Sequence, residues 1–214
     1  MTVPQNPSRL HAWLLGGVGA VFVWSGIECY DGFTWALEVA PAVIGIGVLI
    51  YVYPRFRFTD LLYVLIALHA VILMVGGKYT YARMPLFEWL KNALGLERNY
   101  YDRVGHFAQG FVPALIAREL LLRLTPLARG KLLIYLVLSV ALAISAGYEL
   151  IEFAVAKLTG TAADAFLGTQ GDPWDTQWDM TFCFFGATTA LILFSGLHDR
   201  ALAGQDVKRI ASPG

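Results

Sequence analysis

Six long, mostly apolar runs dominate this chain of 214 residues. A hydrocarbon core about 30 Å thick requires roughly 20 such residues per helix, and a helix satisfies all its backbone hydrogen bonds internally. The predicted fold is therefore an all-α polytopic membrane helix bundle, a single integral membrane domain over residues 1-214. The predicted transmembrane spans are residues 12-27, 33-53, 58-76, 104-122, 132-156 and 178-197.

Composition agrees with a membrane location. Hydrophobic residues make up 57% of the chain and charged residues 15%, against roughly 25% charged residues in an ordinary soluble domain. The 16 basic residues balance the 16 acidic ones, and no basic tract is present, so nucleic-acid binding is not expected. The two cysteines, Cys29 and Cys183, provide neither a disulfide framework nor a metal-ligand spacing.

The distribution of basic residues predicts the orientation in the membrane. With both termini in the cytoplasm, 10 of the 16 Lys and Arg residues fall on the cytoplasmic side. Arg55 and Arg57 lie between the second and third spans, whereas the first outer loop has Glu28 and Asp31 and no cation. Cytoplasmic loops carry the excess of Lys and Arg, so we expect both termini to be cytoplasmic.

Two segments outside the predicted spans differ from them in composition and predicted structure. The outer loop, residues 78-103, is rich in aromatic residues, and residues 86-94 after Pro85 are predicted to form a short interfacial helix. An ordinary outer loop anchored by its rings and a lipid-recognition surface remain open alternatives. Residues 205-214 are predicted to form a flexible tail.

Ionisable residues inside spans cost at least ~2.5–3.5 kcal/mol each, so their positions carry functional information. Seven gather at the outer ends of the last three spans. Within each span they are three or four residues apart, which puts them on one helix face. They are Asp102, His106, Glu149, Glu152, Asp172, Asp175 and Asp179.

Six clustered carboxylates cannot all stay ionised without compensating positive charge. A divalent metal would supply it, and the seven residues are its candidate ligands. Oxygen ligands with one imidazole favour Mg²⁺, Mn²⁺ or Ca²⁺ over Zn²⁺. Arg103 and Lys157 could supply the charge instead. Simpler alternatives exist for each group. Asp172 and Asp175, on either side of Pro173, could cap a helix. Glu149 and Glu152 could be one ion-paired and one protonated carboxyl, and His106 could be a hydrogen-bonded core histidine.

Other polar residues are also predicted to be buried. Glu38 and His69 are expected at depths of about 7.5 and 10 Å from the same membrane face, where they could pair or form a structural hydrogen bond. At the inner side, Glu119 and Arg123 are spaced for a salt bridge. Arg118 is expected to snorkel or to face phosphate.

Four motifs stand out: DRVGHF (102-107), YELIE (148-152), GTQGD (168-172) and WDTQWDM (174-180). Together they resemble the uncharacterised bacterial inner-membrane protein family that includes YjdF. More distantly, the second half is similar to VanZ-like proteins, on Asp102, Arg103, His106, the glutamates of the fifth span, the aspartates of the sixth, and Gly186-Ala187. The resemblance implies a multi-pass protein of the bacterial plasma membrane and, for VanZ-like members, a link to the cell envelope without an agreed activity.

The sequence favours a metal site at the extracytoplasmic face. One consistent chemistry is metal-assisted hydrolysis or transfer on a phosphate-bearing lipid or lipid-linked envelope precursor, with His106 or Glu149 as the catalytic base. Two alternatives are a proton- or cation-coupled transporter and a non-catalytic protein that binds membrane lipids or an envelope partner.

Overall fold

The computed structural model describes residues 8-160 and 164-211. These residues contain nine α-helices and no strand, which confirms the all-α prediction. The helices are α1 (Arg9–Gly26), α2 (Gly32–Val52), α3 (Asp60–Lys78), α4 (Pro85–Leu94), α5 (Tyr101–Leu124), α6 (Lys131–Thr159), α7 (Asp164–Leu167), α8 (Asp175–Thr189) and α9 (Ser195–Ala211).

Side-chain caps set the start of the first three helices. The side chain of Ser8 accepts a hydrogen bond from a backbone N–H at the start of α1, and Asp31 and Thr59 do the same for α2 and α3. Such caps satisfy N–H groups that have no partner within the helix. The helix predicted after Pro85 is present as α4, which ends at Gly95 in the left-handed conformation (φ 63°).

Four helical segments are long and apolar enough to cross a membrane: Gly32–Val52, Asp60–Lys78, Lys131–Thr159 and Asp175–Gln205. They coincide with the second, third, fifth and sixth predicted spans. Helices α1 and α5 occupy the positions of the first and fourth. The count of six, the orientation of the termini and the single-domain boundaries stay predictions.

The last span is one continuous helical segment made of α8, a π-helical turn (Ala190–Phe194) and α9. The helical backbone extends to Ala211, into the segment predicted as a flexible tail. Residues 212-214 lie outside the described part of the chain, and the flexibility of the tail stays a prediction.

Helices α5 and α8 form the centre of the bundle, and α3 and α6 pack against it. Two glycines let their backbones touch. A Cβ on Gly110 of α5 would overlap the carbonyl group of Cys183, and a Cβ on Gly186 of α8 would overlap that of Phe107. Small residues permit this close approach of membrane helices. The contact fixes the positions of the polar side chains at the start of α5 and α8.

Candidate functional site

Arg103, in the first turn of α5, lies at the centre of the predicted acidic cluster. Its guanidinium is 2.7 Å from Asp175, 3.3 Å from Asp102 and 3.5 Å from Asp172, and it forms a further ion pair with Asp179. The side chain is buried. Arg103 therefore supplies part of the compensating positive charge, as one of the sequence alternatives allowed.

A second arginine, Arg98, adds to this compensation. It lies in the turn between α4 and α5, and its guanidinium is 2.6 Å from Asp175, 3.4 Å from Asp172 and 3.6 Å from Asp102. It also donates to the carbonyl oxygen of Gly168 at 3.3 Å. Sequence reasoning missed Arg98, although its spacing of four residues from Asp102 was an available signal.

Hydrogen bonds fasten the loop before α8 to the turn before α5. The Gln170 side chain accepts from the backbone N–H of Asn99 at 3.0 Å and donates to the carbonyl of the same residue at 2.9 Å. Gly168 and Gly171 have positive φ angles of 59° and 87°, a conformation that glycine adopts without steric cost. These contacts explain the GTQGD motif, because they hold the aspartates beside the arginines.

His106 of α5 contacts aspartates of both α5 and α8 at the edge of this cluster. Its Nε2 atom is 3.3 Å from Asp102 and 3.4 Å from Asp179, and its Nδ1 atom is 3.0 Å from Oε1 of Gln109. Both ring nitrogens face oxygen atoms, an arrangement that suits a protonated imidazole. One ligand atom from each of Asp102, His106 and Asp179 lies within 4.8 Å of the others. Among the described residues, these three form the candidate metal-binding group.

A cavity of ≈ 210 Å³ opens beside these three residues. Its wall combines apolar side chains, which supply most of its surface, with carboxylates, imidazoles and phenols from α2, α3, α5, α6, α8 and the turn after α3. Besides Asp102, His106 and Asp179, the polar side chains are those of Glu38, His69, Thr80, Tyr81, Gln109, Tyr148 and Glu152. Glu38 and His69, which the sequence analysis treated separately from the acidic cluster, thus line the same cavity as Asp102, His106 and Asp179.

Glu38 and His69 do not hydrogen-bond to each other among the described residues. Instead, the hydroxyl of Tyr148 donates to Glu38 at 3.3 Å, and the buried Nε2 atom of His69 has no partner in the described part of the chain. Of the two alternatives left open by the sequence, the pairing of Glu38 with His69 is not formed, because a tyrosine from α6 contacts the carboxylate instead. Both residues nevertheless line the cavity.

The two glutamates of α6 take different positions. Glu152 lines the cavity, whereas Glu149 is buried near Thr176 of α8 with its Oε1 atom unpartnered among the described residues. Lys157 stacks on the ring of Phe153 at 5.6 Å, and the structure gives it no ion pair within the described residues. Arg98 takes the compensating role that the sequence offered to Lys157.

Asp172 does not cap α8, which begins three residues later at Asp175. Its carboxylate accepts from the backbone N–H of Trp174 at 2.9 Å. The capping alternative for Asp172 is therefore wrong, because residues 173-174 form a turn rather than the first residues of the helix. Asp175, by contrast, lies in the first helical turn as that alternative expected.

A second buried polar cluster lies at the other end of α5. Glu119 accepts from the backbone N–H and the hydroxyl of Thr59 at 3.0 and 2.9 Å, and it pairs with Arg123 at 2.6 Å. The predicted salt bridge with Arg123 is confirmed. The fully buried His198 also contacts Glu119, at 2.9 Å, and sequence reasoning missed it.

Arg118 belongs to this second cluster and is buried. Its guanidinium lies 2.7 Å from Asp199 and donates to Nδ1 of His198 at 3.0 Å. The expectation that Arg118 snorkels or faces phosphate is wrong, since an acid and an imidazole from α9 satisfy its donors inside the bundle. This cluster fastens α5 to α3 and α9.

Comparison with known proteins agrees with the helical membrane fold described above. The family described as "Predicted membrane protein (DUF2238)" matches residues 10–200. Inner membrane protein YjdF of Escherichia coli (strain K12) is 50% identical over 182 residues, which cover 85% of this chain and 87% of that protein. No solved structure matches. The predicted resemblance and the location in the bacterial inner membrane are confirmed, and the VanZ-like resemblance stays a prediction.

Proposed function

We propose that this chain, which belongs to the family of predicted membrane proteins designated DUF2238, binds a divalent cation. The proposed ligands are Asp102, His106 and Asp179. The observation that carries the proposal is the convergence of three ligand atoms within 4.8 Å in the wall of a cavity. The ligands come from two helices, α5 and α8, that are fixed against each other by backbone contact.

The charge balance of the cavity supports a cationic ligand. Four carboxylates line it, those of Glu38, Asp102, Glu152 and Asp179. Arg103 contacts only Asp102 and Asp179 among them. Clustered carboxylates remain ionised when a cation shares their site. Two carboxylate ligands for one imidazole ligand would favour Mg²⁺, Mn²⁺ or Ca²⁺ over Zn²⁺.

The proposal divides the predicted ligands into two groups. Asp102, His106 and Asp179 would contact the cation, while Asp172 and Asp175 would hold the two arginines in place. A carboxylate has two oxygens, so Asp179 can retain Arg103 through one and bind the cation through the other. His106 must release a proton before one of its nitrogens can act as a ligand.

A cation bound at this site would also support catalysis, namely hydrolysis or group transfer on a phosphate-bearing lipid or envelope precursor. A bound cation polarises a phosphoryl oxygen. The base would then be Glu152 or Glu38, since both line the cavity and His106 is occupied as a ligand. Glu149, which the sequence offered for this role, does not line the cavity.

Transport through the bundle has less support than binding. A path from this cavity along α5 would have to pass the backbone contacts of Gly110 with Cys183 and of Gly186 with Phe107. Those contacts lie between the acidic cluster and the second cluster around Glu119. No chain of ionisable side chains connects the two within the described residues of this interface.

Thermal unfolding of purified protein in detergent tests the proposal. Addition of Mg²⁺, Mn²⁺ or Ca²⁺ at 100 times its Kd should raise the free energy of unfolding by about 2.7 kcal/mol. Asp102→Asn and Asp179→Asn should abolish this increase. Glu88→Gln, which removes a carboxylate of α4 that pairs with Lys91 outside the cavity, should retain it.

Two results would overturn the proposal. One is the absence of any cation-dependent stabilisation of folded wild type by the three cations and Zn²⁺. The other is equal stabilisation of wild type and of the two aspartate variants, because that would locate the cation elsewhere. Circular dichroism of each variant without added metal establishes that the comparison is made between folded proteins.

A further inference from the structure

A groove separate from the acidic site runs between α1 and α2. Both helices pack on α3, which forms the floor of a cavity of ≈ 290 Å³. Most of its wall is aliphatic and includes Leu14, Val18, Ile46, Leu49 and Ile66. An aliphatic groove between membrane helices is suited to a hydrocarbon chain.

One end of this groove is polar. Nδ1 of His11 lies 2.8 Å from the hydroxyl of Tyr53, and Nε2 of the same ring lies 3.1 Å from Asp60. Tyr63 packs on the His11 ring, with 4.0 Å between ring centroids. This end lies where α1 and α3 begin and α2 ends, so the groove changes from polar to apolar along the helix axes, as a phospholipid does.

The short loop between α2 and α3, which follows Tyr53 and precedes Asp60 at the polar end, carries two arginines. The guanidinium of Arg57 lies 4.4 Å from the ring centroid of Tyr53, and that of Arg55 lies 5.0 Å from that of Tyr51. Arginine is suited to this position because its planar guanidinium binds phosphate through two parallel hydrogen bonds.

We infer that this groove binds an anionic phospholipid, with one acyl chain between α1 and α2 and the phosphate against Arg55 and Arg57. Basic pockets between transmembrane helices bind anionic head groups in this way. The groove lies at the opposite end of the bundle from Asp102, because the start of α3 contacts the end of α5 through Thr59 and Glu119. The inference is therefore independent of the proposed cation site.

Native mass spectrometry of the purified protein tests the inference. The protein is incubated with equal amounts of phosphatidylglycerol and phosphatidylethanolamine that have identical acyl chains. Wild type should retain phosphatidylglycerol in preference. Because each basic side chain near an anionic head group contributes about 1 kcal/mol, Arg55→Gln with Arg57→Gln should reduce that preference by about tenfold or more.

Two further variants separate the groove from general electrostatic attraction. Ala67→Phe adds a ring to the groove wall and should reduce retention of both lipids. Arg129→Gln with Arg200→Gln removes the same charge from exposed positions elsewhere and should leave the preference unchanged. The inference is overturned if wild type shows no preference, if both double variants lose it equally, or if folded Ala67→Phe retains both lipids like wild type.

Discussion

Arg98 and Asp175 form a buried ion pair, with 2.6 Å between guanidinium and carboxylate, across 77 positions of the chain. The pair connects the turn before α5 to the first turn of α8. Arg103 contacts the same carboxylate at 2.7 Å. The two arginines thus compensate four aspartates in part, and two of those aspartates, Asp102 and Asp179, also line the cavity.

Replacement of Arg98 by Gln should destabilise the protein. The change removes charge-assisted hydrogen bonds to Asp175 and Asp172 but leaves Arg103 in place, so we expect the free energy of unfolding to fall by about 1.5–3 kcal/mol. Thermal or denaturant unfolding in detergent measures this loss.

Arg83→Gln is the matched control for Arg98→Gln. Arg83 lies in the same connection between α3 and α5, is exposed, and stacks on the Tyr30 ring at 3.9 Å. Its removal should cost about 1 kcal/mol or less. Equal costs for the two substitutions would contradict a special role for the buried pair.

Gly110→Ala should destabilise the bundle by separating α5 from α8. The added methyl group overlaps the carbonyl of Cys183, which is backbone and cannot rotate away. Overpacking of this kind costs about 1–3 kcal/mol, and the unfolding transition should move to lower temperature.

Gly45→Ala tests whether the loss comes from that overlap. Gly45 lies within α2, and a Cβ at this position meets no atom within 4 Å. Alanine is favoured over glycine inside helices, so this variant should be as stable as wild type or more stable. A stable Gly110→Ala protein would mean that α5 and α8 do not touch through their backbones.

Asp31 should make the stability of α2 depend on pH. The backbone N–H of Thr34 donates to its carboxylate at 2.7 Å and lowers the pKa of Asp31 below its ordinary value. A lowered pKa contributes stability above the pKa of the unfolded chain, and that contribution is lost as pH falls through the folded value. Asp31→Ala should cost about 0.5–2 kcal/mol at neutral pH and progressively less below about pH 4.

Asp31→Asn separates capping from titration, because asparagine caps a helix about as well as aspartate. This variant should be nearly as stable as wild type at neutral pH. The cost of Asp31→Ala relative to Asp31→Asn should not change between pH 7 and pH 3. If the cost of Asp31→Ala relative to wild type is also the same at pH 7 and pH 3, the ionised carboxylate does not stabilise the start of α2.

Local rules predicted the parts of the structure that depend on local sequence. Apolar run length located the main helices, Pro85 located the start of α4, and the spacing of Glu119 and Arg123 predicted their salt bridge. The same spacing rule placed Asp102 and His106 on one face of α5. Each of these features depends on residues within a few positions of one another.

Contacts between distant segments could not be read from such spacing. His198 meets Glu119 across 79 positions, and Tyr148 meets Glu38 across 110. Which helices are neighbours, and how each is rotated, depends on the backbone contact between α5 and α8 and on the loop fastened by Gln170. For that reason the sequence placed Glu38 and the acidic cluster in separate sites.

Electron paramagnetic resonance of Mn²⁺ tests the central claim most directly. Mn²⁺ has the ligand preference proposed for the site and reports the nuclei that coordinate it. Titration of wild type should show one bound ion per chain with a hyperfine coupling to a single imidazole nitrogen, and His106→Gln should remove that coupling. Absence of bound Mn²⁺ in folded wild type, or a nitrogen coupling that persists in His106→Gln, would contradict a cation site at Asp102, His106 and Asp179.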